Sequence, residues 1–215
     1  MSNSAMTTIQ ISASLEANAL NFSYPDKKLF RQFTARFAPG ISLLRGGDGR
    51  GKSTLLRLMA GTLSAQSGQL KINGIDLQSQ PAKYKANLFF AEPRSDAFDA
   101  LTALDYFQLQ RSVYAEFNDT ILAQITAGLG LDAHLHKQLF ILSTGSKRKV
   151  FLAAALAASA AITLLDEPFA ALDAASIACL LHWLKSSATA SRAWVIADYT
   201  APAGLFLVQT IELGD

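Results

Sequence analysis

The sequence has one cysteine, few charged residues and no apolar run long enough to span a bilayer. Cys179 is the only cysteine among 215 residues, so no disulfide can form within the chain and a reducing compartment fits best. Charged residues make up 17% of the chain and the formal net charge is +2, which gives no reason to expect a nucleic-acid partner. The longest apolar run, residues 150–165, is shorter than the about 20 residues that a membrane helix needs. We therefore expect a soluble chain whose membrane role, if any, requires a partner subunit.

The first residues of the sequence do not have the pattern of a secretory signal. The segment MSNSAMTTIQIS lacks both a basic beginning and a long apolar core. Met6 is a second possible start of the protein, so residues 1–5 are left out of the fold prediction.

Short apolar segments alternate with turns and helical segments along the rest of the chain. Residues 18–24 and 31–37 predict antiparallel strands, whereas residues 41–45, 161–165 and 193–197 have the continuous apolar composition of buried strands. Further strands are predicted at residues 69–72 and 205–213, and helices at residues 52–60 and 174–186. Between them, residues 93–158 are mostly helical in pattern. One predicted helix carries Leu101, Leu104, Phe107 and Leu109, and the next carries Ile121, Leu122, Ile125 and Leu129.

A glycine-rich segment, 45-RGGDGRGKSTLL-56, lies between a predicted strand and a predicted helix. Its pattern of Gly, four residues and Gly-Lys-Ser is the Walker A pattern, in which backbone N–H groups and the helix dipole bind phosphate. Lys52 is expected to reach the β- and γ-phosphates, and the Ser53 hydroxyl to bind Mg²⁺. The residues predicted to contact the nucleotide here are Gly46, Gly47, Asp48, Gly49, Arg50, Gly51, Lys52, Ser53 and Thr54.

A second motif supplies the carboxylates that this chemistry needs. In 162-ITLLDEP-168 a buried strand ends at Asp166, which we expect to hold Mg²⁺ through water. Glu167 follows at once and is predicted to polarise the attacking water as the general base.

A third motif, 142-LSTGSKRKVFLAAALA-157, begins a predicted helix shortly before the metal strand. Together with the other two motifs it resembles the signature of the ATP-binding-cassette (ABC) ATPases, usually Leu-Ser-Gly-Gly-Gln. Leu142, Ser143 and Gly145 match that signature, whereas Thr144 and Ser146 depart from it. The basic residues 147-KRK-149 are expected to lie at the beginning of the helix with their side chains in solvent.

The resemblance covers nearly the whole chain from Ala17 and implies a function. Its expected cofactors are ATP and Mg²⁺, and its expected assembly is a head-to-tail dimer in which Ser143 and Gly145 of one subunit complete the site of the other. It also implies that Asp173, in 170-AALD-173, is the aspartate after the catalytic glutamate. Tyr24 falls where the family places an aromatic ring that stacks on adenine.

Two positions depart from what the resemblance implies. The family carries a switch histidine after the strand at residues 193–197, and here that catalytic position is Asp198, whose carboxylate repels a γ-phosphate unless it is protonated or turned away. The usual metal-associated glutamine becomes Glu92, which accepts from a metal-bound water but cannot donate when ionised. Because the loss of one transition-state contact typically costs about 10²–10³ in rate, hydrolysis is expected to be slow or dependent on a partner.

The fold predicted is α/β: a P-loop NTPase core with a parallel sheet and N-terminal antiparallel strands, interrupted by an inserted helical subdomain. Residues 1–215 are expected to form a single domain, with a core lobe at about 7–92 and 159–215 and a helical lobe at about 93–158. The implied function is the ATP-hydrolysing subunit of an ABC transporter, cytoplasmic and peripheral on the inner face of the membrane. Its expected partners are an integral membrane permease and a second ATPase subunit.

Among subfamilies, the short length, 166-DEPFAALD-173 and the brief segment after Asp198 resemble the ATP-binding subunits of haem exporters in cytochrome c biogenesis. Two alternatives stay open. One is a degenerate cassette that binds ATP as a regulatory switch, which Asp198 and Glu92 favour. The other is a non-transport cassette ATPase of DNA repair or translation, which the lack of long insertions and of a strongly basic composition disfavours.

Overall fold

The structure is a computed structural model that describes residues 13–92, 94–187 and 191–214. Residues 1–12, on which the prediction about the N-terminus depends, lie outside the described residues. The strands are β1 (Leu15–Tyr24), β2 (Lys27–Phe37), β3 (Gly40–Arg45), β4 (Ser67–Ile72), β5 (Ile75–Asp76), β6 (Leu88–Ala91), β7 (Ile162–Asp166), β8 (Ala193–Asp198) and β9 (Leu207–Glu212). The helices are α1 (Lys52–Ala60), α2 (Pro81–Ala86), α3 (Ala103–Val113), α4 (Asp119–Gly128), α5 (Thr144–Ala157) and α6 (Ala174–Ser187).

The strands form two sheets, which confirms the predicted mixture of parallel and antiparallel pairing. The parallel sheet has the order β6-β7-β8-β3-β9, and the antiparallel sheet has the order β2-β1-β4-β5. β7 is buried at all five positions and the first five residues of β8 are buried, as continuous apolar strands covered on both faces require. Alternate residues of β3 pack on opposite faces: Leu43 joins the core cluster that contains α5, and Leu44 joins the cluster that contains α1.

The parallel register brings several strand ends to one edge of the sheet. Arg45, at the end of β3, lies opposite Asp198 of β8, and Ala197 lies opposite Asp166 at the end of β7. Ala91, at the end of β6, pairs with Leu165. Because ligands of open α/β sheets bind outside the carboxyl ends of the strands, this edge is the expected place for the site.

The helical segment between β6 and β7 differs from the prediction in one helix. α3 begins at Ala103, because the Thr102 side chain accepts from the N–H of Asp105 and the Asp105 side chain accepts from that of Thr102. Leu101 therefore precedes the helix, and Leu104 and Leu109 are 39% and 38% exposed. The prediction that these residues lie on one helix is confirmed for Leu104, Phe107 and Leu109 and was wrong for Leu101. The buried face is made by Ala103, Tyr106, Phe107 and Gln110.

The next predicted helix is confirmed. α4 buries Leu122 and Ile125, and Leu129 follows as its C-cap with 2% exposure. The long apolar helix α5 has Val150 to Ala157 wholly buried and forms the centre of this half of the core. Within the described part of the chain, none of the helices is long and apolar enough to cross a membrane.

The helix α1 is fixed to the core by a buried hydroxyl. Tyr84, in α2, is fully buried and its hydroxyl donates to the carbonyl oxygen of Met59 at 2.7 Å. This bond ties the C-terminal turn of α1 to α2, so it holds the helix that follows the glycine-rich loop.

We predict that Tyr84→Phe lowers the free energy of unfolding by about 1–2 kcal/mol, because a buried carbonyl loses its partner while the ring keeps its packing. Thermal or urea unfolding of the two proteins measures the difference. Lys83→Gln, on the exposed side of the same helix, is the control and should unfold like the wild type. Equal stability of Tyr84→Phe and wild type would contradict the assignment of this bond.

Candidate functional site: a phosphate-binding loop with converging carboxylates

The loop between β3 and α1 ends in a helix N-terminus that is free of a side-chain cap. Gly51 is the N-cap residue, with φ 94°, and no side chain makes a capping hydrogen bond to α1. A Cβ at Gly51 would lie 2.9 Å from the ring of Phe30, so both the backbone angle and the packing require glycine. The first N–H groups of α1 are thus exposed to an anion, which the helix dipole also favours.

Lys52 is held tightly over this loop. Its ammonium donates to the carbonyl oxygens of Gly46 at 2.7 Å and Gly47 at 3.1 Å, and the residue is only 6% exposed. The ring of Tyr199 covers the same ammonium, with 3.9 Å between the ring centroid and Nζ. The cation is therefore at the position predicted for phosphate binding and is bonded to its own loop.

A cavity of about 290 Å³ lies beside the loop. Its lining contains most of the predicted nucleotide contacts: Tyr24, Gly47, Asp48, Gly49, Arg50, Gly51, Lys52, Ser53, Thr54 and the base candidate Glu167. Gly46 lies at the end of β3 behind this lining, where a Cβ would lie 3.0 Å from the carbonyl oxygen of Leu213. The structure thus brings the residues of the first two motifs to one place.

Tyr24 lies at the edge of the cavity with 41% of its surface exposed. Its ring packs edge-on against Phe22, with 5.0 Å between the centroids, and its hydroxyl lies 3.4 Å from that of Thr54. One ring face is therefore fixed beside the loop. Stacking of adenine on that face stays a prediction.

Asp166 ends β7 and is 9% exposed. Its Oδ1 is buried without a hydrogen-bond partner among the described residues. Burial raises the pKa of this carboxyl, and a hydrogen bond with Ser53 partly opposes that effect. A buried carboxylate oxygen without a partner, next to a hydroxyl, is the environment that a divalent cation would satisfy. Ser53 and Asp166 therefore fit the predicted Mg²⁺ site.

Glu167 is held by both its backbone and its side chain. Its φ is +46°, and its N–H donates to the carbonyl oxygen of Ala197 at 2.9 Å. Arg94 donates to Oε2 at 2.6 Å, and the glutamate side chain is 13% exposed. The predicted general base is thus fixed at the cavity wall and paired with an arginine.

Glu92 and Asp198, the two carboxylates at positions where the sequence departs from the resemblance, have different partners. Glu92 bonds Arg57 of α1 at 2.5 Å, so its carboxylate is neutralised by the helix that follows the loop. Asp198 accepts from the N–H of Tyr199 at 2.7 Å. Burial raises the pKa of Asp198, and the negative charge of Glu167 raises it further.

The beginning of α5 packs against the chain that follows Glu167. Ser143 is the N-cap, and its Oγ accepts from the N–H of Ser146 at 3.1 Å. A Cβ on Gly145 would collide with the carbonyl oxygen of Ala171, so glycine is required for this close approach. Among the described residues that line the 290 Å³ cavity, neither Ser143 nor Gly145 is found. Within one chain the third motif therefore packs beside the second but does not line this cavity.

The prediction that 147-KRK-149 is a solvated helix start was wrong. Arg148 is 3% exposed and donates to the carbonyl oxygen of Ala170, while Lys147 pairs with Asp99. Lys149 pairs with Asp173 at 2.8 Å. The basic composition of the run suggested that its side chains are in solvent. In the fold they bond carbonyl and carboxylate groups of two loops instead.

Asp173 is bonded at the beginning of α6. Besides Lys149, it accepts from the N–H of Ser176 at 2.8 Å and from the hydroxyl of Ser176 at 2.9 Å. The bond with Lys149, followed by those from Ser176, holds the pKa of this carboxyl well below its usual range. The aspartate is therefore ionised and ordered near the surface.

Three functional side chains were missed from the sequence. Arg94 lines the cavity and bonds Glu167, and Lys27 donates to the carbonyl oxygen of Gly49 at 2.8 Å. Tyr199 donates its hydroxyl to Asp48, and this bond raises the pKa of the phenol to about 12. Lys27 and Tyr199 follow strands without any motif, whereas the position of Arg94, two residues after Glu92, was a usable signal.

The comparisons with known proteins agree with this geometry. The family described as ABC transporter matches residues 36–170. The cytochrome c biogenesis ATP-binding export protein CcmA of Yersinia pestis bv. Antiqua (strain Nepal516) is 32% identical over 168 residues, covering 78% of this chain and 77% of that protein.

Two further similarities concern an importer subunit and a solved structure. The molybdenum import ATP-binding protein ModC of Saccharophagus degradans is 34% identical over 159 residues, covering 72% of this chain and 44% of that protein. A structure described as a putative ABC transporter ATP-binding protein from Pyrococcus furiosus superposes with a TM-score of 0.74 at 25% identity, covering 93% of this chain and 97% of that one. The chain belongs to the ABC transporter family, as an ATP-binding subunit with a P-loop NTPase fold.

Proposed function

We propose that this chain hydrolyses Mg-ATP in a head-to-tail pair of subunits and thereby drives a separate membrane permease. The observation that carries the proposal is the buried, unpartnered Oδ1 of Asp166 beside Ser53, at the N-terminus of the helix that carries Lys52. A cation at this point and phosphates on α1 would satisfy groups that are otherwise buried without a counter-charge.

Each residue of the loop has a defined task in this proposal. The N–H groups at the beginning of α1 and the ammonium of Lys52 bind the phosphates, and Ser53 with Asp166 holds Mg²⁺. The bound Mg²⁺ would neutralise charge on the phosphate oxygens. Glu167 orients and polarises the attacking water. To do so, its carboxylate must release Arg94 and bond that water instead.

Solvent favours that exchange on the arginine side. The Arg94 side chain is 67% exposed, so water can replace the carboxylate as its partner, whereas the Glu167 side chain is 13% exposed. Arg94 therefore keeps Glu167 at the cavity wall without locking it. By the same reasoning, Glu92 remains available to a metal-bound water when it leaves Arg57, whose side chain is 44% exposed.

The second subunit supplies what one chain lacks. Ser143 and Gly145 begin a helix of 14 residues whose N-terminus is a further phosphate-binding point. Because neither residue is found among the described residues that line the cavity, a partner's copy is proposed to bring its own α5 to the phosphates. Two equivalent sites related by a twofold axis follow from this arrangement.

A groove between the two lobes is the proposed place of the permease. A cavity of about 470 Å³ lies where the end of β6 meets α2 and α3, and its lining includes Glu92 and the apolar residues Phe89, Phe98 and Val113. A loop of a membrane protein docked here would touch Glu92, whose carboxylate bonds α1 through Arg57. Such contact would connect the permease to the phosphate site.

Export in cytochrome c biogenesis is the transport role best supported. CcmA is matched over 77% of its length, whereas ModC is matched over 44% of its length. The matched region is thus most of a CcmA protein and less than half of ModC. A degenerate ATP-binding switch is the second candidate, because the carboxylates of Asp198 and Glu92 lie where neutral or cationic groups would serve hydrolysis better.

The first prediction concerns Mg-ATP hydrolysis by the purified chain. We expect specific activity to rise with protein concentration, because the site needs two subunits, and to fall at least about 100-fold in Glu167→Gln, which loses the base. Phosphate release measured over a concentration series tests both points. Tight ATP binding without turnover above that of Glu167→Gln would contradict independent hydrolysis. Adding membranes that contain the candidate permease then separates a permease-dependent ATPase from a degenerate switch.

The second prediction tests the shared site with two inactive variants. Lys52→Ala removes the phosphate cation and Ser143→Arg blocks the α5 N-terminus, so each variant alone should be inactive. Mixed in equal amounts before dimerisation, they should regain about a quarter of wild-type activity, because half the pairs then contain one intact site out of two. Each variant mixed with itself at the same total concentration is the control. No recovery in the mixture would contradict the head-to-tail arrangement.

The third prediction concerns Asp166 in the absence of nucleotide. Burial raises its pKa above the usual value of about 3.9. The ionised carboxylate therefore destabilises the nucleotide-free chain at pH 7. This destabilisation disappears as the pH falls toward the pKa of the group in the unfolded chain. Asp166→Asn should therefore melt at a higher temperature than wild type at pH 7, with a difference that narrows toward pH 4.

Mg-ATP should reverse that order, because only the wild type keeps the metal ligand. Differential scanning calorimetry at several pH values, with and without Mg-ATP, measures both effects. Asp132→Asn, in an exposed turn of the helical lobe, is the matched control. A lower melting temperature of Asp166→Asn without nucleotide at pH 7 would show that this carboxylate does not destabilise the empty chain.

A further inference from the structure

Tyr199 makes two contacts with the phosphate loop that none of the three motifs explains. It follows β8 directly, and its hydroxyl donates to the carboxylate of Asp48. Its ring lies over the Lys52 ammonium, with 3.9 Å from the centroid to Nζ. One side chain that follows β8, the strand next to β3, thus contacts both Asp48 and Lys52 of the loop.

The donors of Lys52 are all engaged in this arrangement. An ammonium has three N–H donors, and two of them are given to the carbonyl oxygens of Gly46 and Gly47. The third side of the ammonium faces the negative π-face of the Tyr199 ring. As a result Lys52 is 6% exposed, and a phosphate reaches the ring-covered side of the ammonium only after the ring moves.

The hydroxyl of Tyr199 lies on the side of the proposed base. Its bond with Asp48 is the largest cause that raises the phenol pKa to about 12, and interactions with Glu167 raise it as well. The hydroxyl therefore bonds the loop carboxylate, and Tyr199 lines a cavity together with the residue that would activate water. In the proposed reaction this is the space of the terminal phosphate, which Lys52 binds on one side and the water attacks on the other.

We propose that Tyr199 occupies the terminal-phosphate position of the empty chain, and that ATP has to displace it whereas ADP does not. The inference rests on the proposed function of the site and adds a specificity-determining residue to it. The apparent affinity for ATP is then the intrinsic affinity multiplied by the fraction of chains in which Tyr199 has left this position. It thereby reduces the difference in affinity between ATP and ADP.

The expected size of the effect follows from the two contacts. One hydrogen bond to a carboxylate and one partly exposed cation–π contact together correspond to about a tenfold change in affinity. Tyr199→Ala, which removes both contacts, should bind a slowly hydrolysed ATP analogue about tenfold more tightly and ADP less than about twofold more tightly. Tyr199→Phe keeps the ring and should fall between wild type and Tyr199→Ala.

The test is equilibrium binding of the Mg²⁺ complexes of that analogue and of ADP to the full chain. Asp48→Asn is a second variant, because it weakens the anchor of the hydroxyl without changing Tyr199 and should also favour the analogue over ADP. Phe206→Ala is the matched control, since it removes an aromatic ring that is 84% exposed on the same β8–β9 connection. A melting curve of each variant shows whether it is folded.

Each outcome has a distinct meaning. A selective gain for the ATP analogue in Tyr199→Ala supports the inference. Equal gains for both nucleotides, or weaker binding of the analogue, would overturn it, the latter because Tyr199 would then be a ligand of the nucleotide. A wild-type chain that binds neither nucleotide would instead contradict the proposed function itself.

Discussion

The site depends on the parallel register of three strands. Because Arg45 pairs with Asp198 and Ala197 with Asp166, the glycine-rich loop, the metal carboxylate and Tyr199 all leave the same edge of the sheet. A shift of one residue in any of these strands would turn its side chains to the opposite face. The buried apolar residues on both faces of β7 and β8 make such a shift costly, so the core fixes the geometry of the site.

The carboxylates around the site are paired with arginines or hydrogen-bonded, with one exception. Glu92 bonds Arg57, Glu167 bonds Arg94, and Asp48 accepts from Tyr199. Among the described residues Asp166 alone has a buried carboxylate oxygen without a partner. The two arginines are exposed to solvent, which favours exchange of these pairs, whereas the unsatisfied oxygen is the one that a cation would satisfy in the proposed site. This asymmetry explains how an acidic site can bind an anionic nucleotide when it does so together with Mg²⁺.

The sequence predicted the parts of the site that depend on local pattern. The path of the loop into α1 follows from glycine spacing, and the end of β7 at Asp166 follows from a continuous apolar strand. The contacts of Arg94, Lys149 and Tyr199 could not be predicted in this way, since each is a long side chain that meets a loop distant in sequence. The start of α3 was also missed: the cap at Thr102, rather than the spacing of the leucines, decides that Leu101 lies outside the helix.

The packing of α5 has a consequence for a pair of subunits. Gly145 lies against the carbonyl of Ala171, and Arg148 bonds that of Ala170, so the beginning of α5 and the chain after Glu167 are held as one unit. In the proposed head-to-tail pair, Glu167 would act at one site while Ser143 of the same chain would complete the other. A movement of this unit at one site would therefore be transmitted to the other through contacts within a single chain. Coupling between the two sites then needs no further element beyond the interface itself.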